Sequence, residues 1–468
     1  MAPRDEVLSW YRAATETLIS APPAKDDRDP ESAAVNVLLQ RQAKALLVIH
    51  DALGDSSPHQ VNESLLTRRL SDVVSISASK FYAYRFDLLP CQWRQIHTDA
   101  LILSTHHDVL CSLGQNAWLG DAVLDGVVEK LDRAVITAGG AGVLGTAWVE
   151  KTLRLLEDLC DALPGEPPAA KRAKRAHDAH FALGEPYGRP ALSPDRTCPA
   201  RSGWSLAAFE RYMNGDTSPR PVVFTDLVAA WPALTSRPWK SPCYLLSRTF
   251  GGRRLVPVEI GRSYVDPDWG QELVPFGAFL SSYVSPEGGG GEEVGYLAQH
   301  DLFSQIPSLR GDICTPDFCW SSVPMHPADD PARNKAPVDV PLVNAWFGPA
   351  RTITPLHTDA YHNLLVQVVG TKYVRLYPPW SKAMRPRGEE DGVDMSNTSS
   401  LDVGVLEGWD EDAQGMTEEE REAAKSELES EEYWECVLGE GDTLLIPMGW
   451  WHYVRSLSVS FSVSFWWN

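Results

Sequence analysis

The chain has 468 residues, of which 43% are hydrophobic and 22% are charged, a composition typical of a folded globular protein and unlike that of a disordered one. Its formal charge of −21 at pH 7 argues against binding nucleic acid through bulk positive charge, and we expect no direct nucleic-acid contact. The length predicts two or three domains.

Membrane-spanning and secreted proteins are two further classes that the sequence disfavours. No run approaches the roughly 18 apolar residues that span a bilayer, and charged residues interrupt the region 1–19 where a signal-peptide core would lie. The eight cysteines are scattered and include no Cys-x-x-Cys, which favours reduced thiols over a zinc ribbon or a disulfide framework. We therefore expect a nuclear or cytoplasmic protein with no membrane association.

Residues 1–163 have the pattern of an all-helical domain. Apolar residues recur at helical spacing in 34–53, 117–138 and 142–163, and turn-forming residues separate these stretches. No fixed sequence period is present, so no named helical repeat is predicted. Such a domain could bind another protein.

The predicted linker, residues 164–200, is rich in proline and carries the basic tract Lys171–Arg175. Proline-rich composition is typical of an exposed connection between domains. Two interpretations of the basic tract remain open, a nuclear-import signal and a solvated positive linker.

Residues 201–468 form the predicted C-terminal domain, which is rich in short β-strands. In the last strand the large side chains alternate with serines over 459–465, so they occupy opposite faces. Other predicted strands are bounded by Gly or Pro: Val343–Gly348, Asn363–Val369, Lys372–Tyr377 and Thr443–Ile446. Short strands with tight turns favour a β-sandwich or jelly roll, giving an α+β chain overall.

An acidic insertion, residues 388–435, interrupts this domain. It has 18 acidic and 2 basic side chains, so most of the net charge of the chain lies here. Residues 417–432 have the spacing of a surface helix. The insertion could attract basic, arginine-containing protein segments, or it could be a solvated loop that contributes only solubility.

Three side chains in this domain are candidates for metal ligands. His357 and Asp359 are two residues apart, so in an extended segment both project from the same side, and His452 opens a later predicted strand. Two imidazoles and one carboxylate leave three positions of an octahedral iron free, as non-haem Fe(II) oxygenases require. The alternative is three unrelated polar residues at strand ends.

The same tripeptide occurs earlier as His97-Thr-Asp99, in a helical stretch. There the two side chains diverge by about 200°. We expect this copy, with His106 and His107, to lie on a solvated helix surface, and His177 and His180 to lie in the linker. His362, close to the candidate ligands, is expected to be a pocket-wall or surface residue and not a fourth ligand.

Lys372 lies among large apolar residues in a predicted strand. A lysine is costly to bury unless an anion pairs with it, and a dicarboxylate co-substrate would supply that anion. The alternative is a lysine on the solvent face of an edge strand.

Eight motifs follow one another along the chain: Val256–Gly261, Gly295–His300, Asn344–Gly348, Thr354–Asp359, Asn363–Gly370, Lys372–Tyr377, Trp451–Arg455 and Ser460–Trp467. Together they resemble the JmjC family, and within it the branch of lysine demethylase 8, also regarded as arginyl hydroxylases. The resemblance covers about residues 200–468, so it implies that 201–468 is a catalytic domain, and the helical half resembles that branch only in being helical. Departures are the acidic insertion and a glycine-rich loop at Gly288–Gly291.

The resemblance implies a double-stranded β-helix that binds Fe(II), 2-oxoglutarate and dioxygen. The implied metal ligands are His357, Asp359 and His452. The implied 2-oxoglutarate residues are Lys372, Thr354, Tyr296, Asn363 and Trp466. The implied substrate residues, suited to a guanidinium, are Glu259, Trp346, Tyr264 and Gln299.

Three functions follow as hypotheses. The first is hydroxylation of an arginine in a protein or peptide. The second is demethylation of methyl-lysine in histones by the same fold, with a role in chromatin regulation. The third is a catalytically silent module that binds proteins. An acidic residue beside an indole favours the guanidinium of the first hypothesis, whereas methyl-ammonium sites generally need an aromatic cage or a less acidic pocket.

Overall fold

The protein is described by a computed structural model, and its chain divides into two compact units. The first comprises Met1–Arg172 with Thr249–Leu255, and the second comprises Ala173–Arg248 with Val256–Asn468. The described residues are 3–21, 30–53, 60–85, 88–115, 119–162, 180–266, 268–284, 293–327, 333–390, 392–411 and 415–468.

The first unit is a bundle of helices, as its sequence predicts. Its core includes Tyr11, Trp93 and Leu131, all fully buried. Residues 249–255 join this core through Phe250 and an ion pair of Arg254 with Asp132 at 2.7 Å. No helix in the described part of the chain is long and apolar enough to cross a bilayer. Its described residues form the helices α1 Pro3–Ser20, α2 Pro30–Asp51, α3 Glu63–Ala83, α4 Cys91–Gln115, α5 Asp121–Ala138 and α6 Gly145–Asp161.

One prediction about this unit is wrong. His97, Asp99 and His106 lie on a helix as expected, but they are buried and not solvated. The reason is that α4 contacts α1, α2, α3 and α5, so it has little free surface. Its polar side chains find partners inside the bundle: His97 Nδ1 lies 3.0 Å from Ser77 Oγ, and Asp99 accepts from the Val143 backbone N–H at 3.0 Å. His107 is half-buried, and His180 is exposed.

The second unit is built on β-strands, which confirms the α+β class and the predicted strands. The strands are β1 Ala200–Arg201, β2 Val222–Phe224, β3 Leu255–Ile260, β4 Gly270–Pro275, β5 Gly295–His300, β6 Leu342–Gly348, β7 Ile353–His357, β8 His362–Val369, β9 Lys372–Tyr377, β10 Glu389–Glu390, β11 Val393–Asp394, β12 Trp434–Leu438, β13 Thr443–Ile446, β14 Trp451–Ser456 and β15 Ser460–Trp467.

Two sheets face each other as in a jelly roll. The larger has the order β1-β2-β13-β8-β15-β6-β5-β3-β4, and the smaller has the order β12-β9-β14-β7. Buried apolar residues of both sheets, such as Leu365 and Leu444 of the larger and Val374 and Leu438 of the smaller, form one cluster between them. The strands that carry His357, Lys372 and His452 are neighbours in the smaller sheet.

The alternation in β15 separates two environments. Phe461, Val463 and Phe465 pack with the short helices that cover the larger sheet. Ser464 lies on the opposite face, where its Oγ accepts from Trp346 Nε1 at 2.9 Å. Because serines are small, this face leaves space between the sheets. The helices of this unit are α7 Leu206–Met213, α8 Pro242–Arg248, α9 Phe276–Phe279, α10 Leu302–Gln305, α11 Pro307–Arg310, α12 Val403–Leu406 and α13 Glu418–Ser430, with shorter turns at Pro194–Arg196, Pro232–Leu234, Leu280–Val284 and Asp317–Trp320.

The described part of the predicted linker packs against this unit. Phe181 is buried in the aromatic core, and Thr371 Oγ1 donates to Glu185 Oε1 at 2.7 Å. The tract Lys171–Arg175, His177 and the loop Gly288–Gly291 lie outside the described residues. The domain boundaries at 163 and 200 and the import signal therefore stay predictions.

The acidic insertion is partly an integral element of the barrel. The predicted helix forms as α13, begins with a capping box between Thr417 and Glu420, and buries Leu428. Carboxylates of the insertion pair with barrel arginines, Glu407 with Arg375 at 2.5 Å for example. Asp402 and Asp410 pair similarly with Arg262 and Arg455, at 2.7 and 2.6 Å. Part of the formal charge is thus neutralised within the fold.

Candidate active site

The pairing register of β7 and β14 brings the two candidate histidines together. His357 and His452 are directly opposite in this antiparallel pair, and their ring centroids lie 4.1 Å apart. Asp359 follows the end of β7, and its backbone carbonyl accepts from the Gly449 N–H at 3.2 Å. Gly449 has φ of 79°, so the tight turn before β14 needs a glycine. The turn therefore fixes the position of His452 relative to Asp359.

Both imidazoles present the same nitrogen to the space between them. His357 Nδ1 lies 2.8 Å from the Pro355 carbonyl oxygen, and His452 Nδ1 lies 3.0 Å from that of Trp450. A carbonyl only accepts, so each Nδ1 carries the proton and each Nε2 keeps its lone pair. The Nε2 atoms of His357 and His452 both lie 3.6 Å from an oxygen of Asp359.

This cluster has the chemistry of a cation site. Burial raises the pKa of the Asp359 carboxyl and, together with the nearby His357, lowers the pKa of His452 well below its ordinary value. A neutral imidazole is the form that ligates a metal, and a divalent ion would offset the cost of the buried carboxylate. The three donors lie on one side and suit a facial two-histidine, one-carboxylate centre.

Asn363 extends this centre. Its Nδ2 donates to Asp359 Oδ2 at 3.4 Å. Its buried Oδ1 has no hydrogen-bond partner among the described residues. A buried amide oxygen without a partner is costly, so this position suits a bound group that donates to it, such as metal-bound water.

Lys372 lies inside the barrel, and the edge-strand alternative is wrong. Strand β9 is flanked by β12 and β14, and the lysine is only 1% exposed. Its ammonium donates to Tyr296 Oη at 3.1 Å, and Tyr296 in turn bonds with Thr354. Burial lowers the pKa of Lys372 to about 7. An incoming carboxylate would supply the missing negative partner.

The expected site residues share one cavity system in the second unit. The main cavity has a volume of about 1260 Å³. Nine of the twelve expected side chains line it: Glu259, Tyr264, Tyr296, Gln299, Trp346, Thr354, His357, Asp359 and Trp466. The other three, Asn363, Lys372 and His452, line a smaller inner pocket that also contacts Tyr296, Thr354 and Asp359.

The expected substrate residues all line the main cavity, and Trp346 lines the inner pocket as well. Glu259 is opposite Tyr296 in the β3–β5 pair, so both side chains share a face. Burial raises the pKa of Glu259, and the nearby side chains of Trp269 and Gln271 partly offset that rise. Gln299 is exposed, with φ of 45°.

Aromatic side chains form the remaining walls. The Trp346 ring lies 6.2 Å from that of Tyr296, and Trp466 stacks on Tyr361 at 5.8 Å between centroids. Tyr264 Oη lies 3.2 Å from Thr398 Oγ1, and burial raises the pKa of this phenol to about 12.

Sequence reasoning missed the part of the cavity wall formed by the acidic insertion. Glu390 and residues 393–398 line the cavity, as do Asp266 and Tyr361. No motif marks the insertion residues, because their position depends on how the insertion folds back onto the barrel. The stacking of Tyr361 on Trp466 likewise depends on the β8–β15 pairing and has no local signal.

The expectation that His362 is a pocket-wall or surface residue is wrong. It is buried, but it lines neither pocket: Nε2 lies 2.9 Å from the Pro324 carbonyl, and Nδ1 accepts from the Met448 N–H at 3.1 Å. Both ring nitrogens are therefore engaged by the backbone.

A jelly roll with a buried two-histidine, one-carboxylate cluster and a lysine beneath it defines a non-haem oxygenase type of site. Comparison with known families agrees: residues 207–468 match the family described as a cupin-like domain. The chain belongs to the cupin-like JmjC family of 2-oxoglutarate-dependent oxygenases.

Curated relatives differ in how much of their length this chain covers. It is 42% identical over 279 residues to lysine-specific demethylase JMJ30 of Arabidopsis thaliana, covering 57% of this chain and 54% of that protein. It is 38% identical over 353 residues to lysine-specific demethylase 8 of Danio rerio, covering 72% of this chain and 75% of that protein. It is 25% identical over 262 residues to the human bifunctional peptidase and (3S)-lysyl hydroxylase JMJD7, covering 53% of this chain and 77% of that protein.

Proposed function

We propose that this chain is an Fe(II)- and 2-oxoglutarate-dependent oxygenase that hydroxylates an arginine side chain of a protein substrate. The observation that carries the proposal is the arrangement of one cavity system. Metal-type donors and a buried lysine lie at its inner end, and a half-buried carboxylate lies among aromatic rings further out.

The metal role rests on His357, Asp359 and His452. These residues would hold Fe(II) through the two Nε2 atoms and a carboxylate oxygen. Bound iron would supply the oxidising chemistry with 2-oxoglutarate and dioxygen as co-substrates. The carbonyls of Pro355 and Trp450 hold both rings in the ligating tautomer, so the protein pre-organises the centre.

The co-substrate role rests on the inner pocket. Lys372 would pair with the distal carboxylate of 2-oxoglutarate, and the hydroxyls of Tyr296 and Thr354 would donate to the same group. Asn363 lies at the metal end, where its free Oδ1 can accept a hydrogen bond. Trp466 would pack against the co-substrate from the cavity wall.

The arginine preference rests on Glu259 and its neighbours. A half-buried carboxylate beside Trp269 and Gln271 presents a planar acceptor that suits the fork of a guanidinium. Trp346 and Tyr264 would contact the faces of the guanidinium. Gln299 is an exposed residue of the same cavity lining. A methyl-ammonium group has fewer donors and would leave this carboxylate less well satisfied.

Methyl-lysine demethylation is the second candidate function. It is favoured by the names of two relatives, lysine-specific demethylase JMJ30 and lysine-specific demethylase 8. The chemistry of the centre would be the same, since hydroxylation of an N-methyl group releases formaldehyde. The two functions differ in the side chain that the outer cavity accepts.

Mass spectrometry of peptides incubated with the full chain, Fe(II) and 2-oxoglutarate tests the assignment. Arginine hydroxylation predicts a gain of one oxygen atom on an arginine peptide, absent with His452→Ala. Loss of a methylene unit from a methyl-lysine peptide, with arginine unchanged, would replace the first function with the second. If neither peptide changed and no succinate formed, the third possibility, a catalytically silent module, would stand.

The cellular setting belongs to the proposal as well. A nuclear or cytoplasmic location and a role of the helical unit in binding another protein are consistent with the proposed protein substrate. Imaging of the chain with Lys171–Arg175 replaced by alanines tests the import signal: loss of nuclear signal supports it, and an unchanged distribution contradicts it.

A further inference from the structure

A second group of metal-type donors lies in the helical unit and shares no residue with the oxygenase centre. It consists of Glu63, His107 and Cys111, which we name the α3–α4 triad. Glu63 is the first residue of α3, and Asn62 caps that helix by accepting from the Leu65 N–H. His107 and Cys111 are four residues apart on α4, so they lie on one face of the helix.

The distances within the triad are nearly equal. Cys111 Sγ lies 3.5 Å from His107 Nε2 and 3.6 Å from Glu63 Oε2, and these nitrogen and oxygen atoms are 3.5 Å apart. Zinc bonds of about 2.0–2.3 Å at the tetrahedral angle place neighbouring ligand atoms roughly 3.3–3.6 Å apart. The three donor atoms therefore already stand at the separations that one tetrahedral ion requires.

The burial of the triad differs from that of the oxygenase centre. The side chains of His107 and Glu63 are 13% and 44% exposed, and Cys111 is half-buried. An ion there would be held by protein on one side and would reach solvent on the other. Three protein ligands with an open fourth position are typical of zinc sites that keep a water or accept an external ligand.

The geometry points to a second metal site in this protein: we propose that Glu63, His107 and Cys111 bind one Zn²⁺ ion, with water as the fourth ligand. The thiolate selects for a soft or borderline ion, which distinguishes this site from the oxygen- and nitrogen-lined iron centre. The two negative ligands balance the charge of the ion. The ion would tie the N-terminal end of α3 to α4 and would stabilise the helical unit.

Cobalt titration of the full chain tests the site directly. Co²⁺ takes zinc positions, and a cobalt–thiolate bond gives a charge-transfer absorption that histidine and carboxylate ligands do not give. The oxygenase centre contains no cysteine, so this absorption cannot come from that centre, and the cysteine variants below assign it to Cys111. We expect it in the wild-type chain and equally in His452→Ala, which removes a ligand of the other centre.

Matched cysteine variants complete the experiment. Cys111→Ser should abolish the absorption, whereas Cys91→Ser, at an exposed cysteine, should keep it. Cys111→His should retain tetrahedral cobalt binding without the thiolate band, and His107→Ala should weaken Zn²⁺ binding by at least about tenfold. No thiolate band in the folded wild-type chain, or a band that persists in Cys111→Ser, would overturn the proposal. Neither result would affect the proposed oxygenase function.

Discussion

The tripeptide His-Thr-Asp occurs twice in this chain, and the two copies have different structures. We call His97–Asp99 the helix copy and His357–Asp359 the strand copy. His97 and Asp99 lie on helix α4, where each side chain bonds to a different neighbour, Ser77 and Val143. His357 and Asp359 lie at the end of strand β7, where the imidazole Nε2 and a carboxylate oxygen are 3.6 Å apart. Both copies are largely buried, so burial does not distinguish them.

The difference comes from backbone geometry and from a third residue. Side chains two residues apart diverge on a helix and converge on an extended segment. The pairing of β7 with β14 then adds His452 opposite His357. A short motif of this kind therefore indicates a metal site only when a strand carries it and a neighbouring strand completes it.

The largest expected effect is the loss of turnover when the carboxylate of the strand copy is replaced, compared with that of the helix copy. Asp359→Asn should reduce succinate formation more than about 100-fold, because loss of a direct ligand exceeds the 10- to 100-fold effect of outer-shell changes. Asp99→Asn is the matched control and should leave turnover near the wild-type rate. Equal losses of turnover in both variants would contradict the assignment of Asp359 as a metal ligand and Asp99 as a purely structural residue.

The second prediction concerns the lysine that accompanies only the strand copy. Lys372→Met should raise the 2-oxoglutarate KM by roughly 100-fold, since truncating one partner of a buried charge pair costs several kcal/mol. Lys382→Met, at an exposed position, is the control. An unchanged KM in the Lys372 variant would exclude the lysine as the carboxylate partner.

The third prediction distinguishes the proposed substrate-binding role of Glu259 from the co-substrate-binding role of Lys372. Glu259→Gln keeps the shape of the side chain but removes its charge, so kcat/KM for an arginine peptide should fall by about tenfold. The KM for 2-oxoglutarate should stay the same, because Lys372 is unaltered. If the change were to appear in the 2-oxoglutarate KM alone, Glu259 would not be a substrate residue.

The smallest effect on activity is expected at His97 and Asp99 on helix α4, where the change is in stability instead. Burial raises the pKa of Asp99 from 3.8 to about 7, so between these values the unfolded chain ionises at this site while the folded chain stays protonated. Stability contributed by this site therefore falls as pH rises, by at most about 1.4 kcal/mol per pH unit. Asp99→Asn removes this dependence, so the variant should gain stability relative to wild type from pH 4 to pH 7. Urea unfolding followed by helical circular dichroism measures the difference, and a constant difference would contradict the assignment.

The inner end of the site could be predicted from the sequence because local patterns determine it. Strand periodicity places Lys372, and its apolar neighbours indicate burial, which the structure bears out. The solvent exposure of His97 and His106 was not predictable from α4 alone. Its surroundings depend on four other helices, and a polar residue on a helix gives no local sign of which helices cover it.

The outer part of the cavity was the least predictable region. The acidic insertion has the composition of a solvated segment, yet Glu407, Asp402 and Asp410 pair with arginines of the barrel unit. Those pairs join residues far apart in sequence, so composition could not reveal them. The same holds for the α3–α4 triad, where only the His107–Cys111 spacing gives a local signal.

A crystal structure of the full chain with Mn²⁺ in place of Fe(II) and with 2-oxoglutarate would test the central claim most directly. We expect anomalous density from one ion bound by His357, Asp359 and His452, the distal carboxylate of 2-oxoglutarate on Lys372, and no ion at His97 and Asp99. A bound ion that avoids the strand copy, or a co-substrate carboxylate placed away from Lys372, would contradict it.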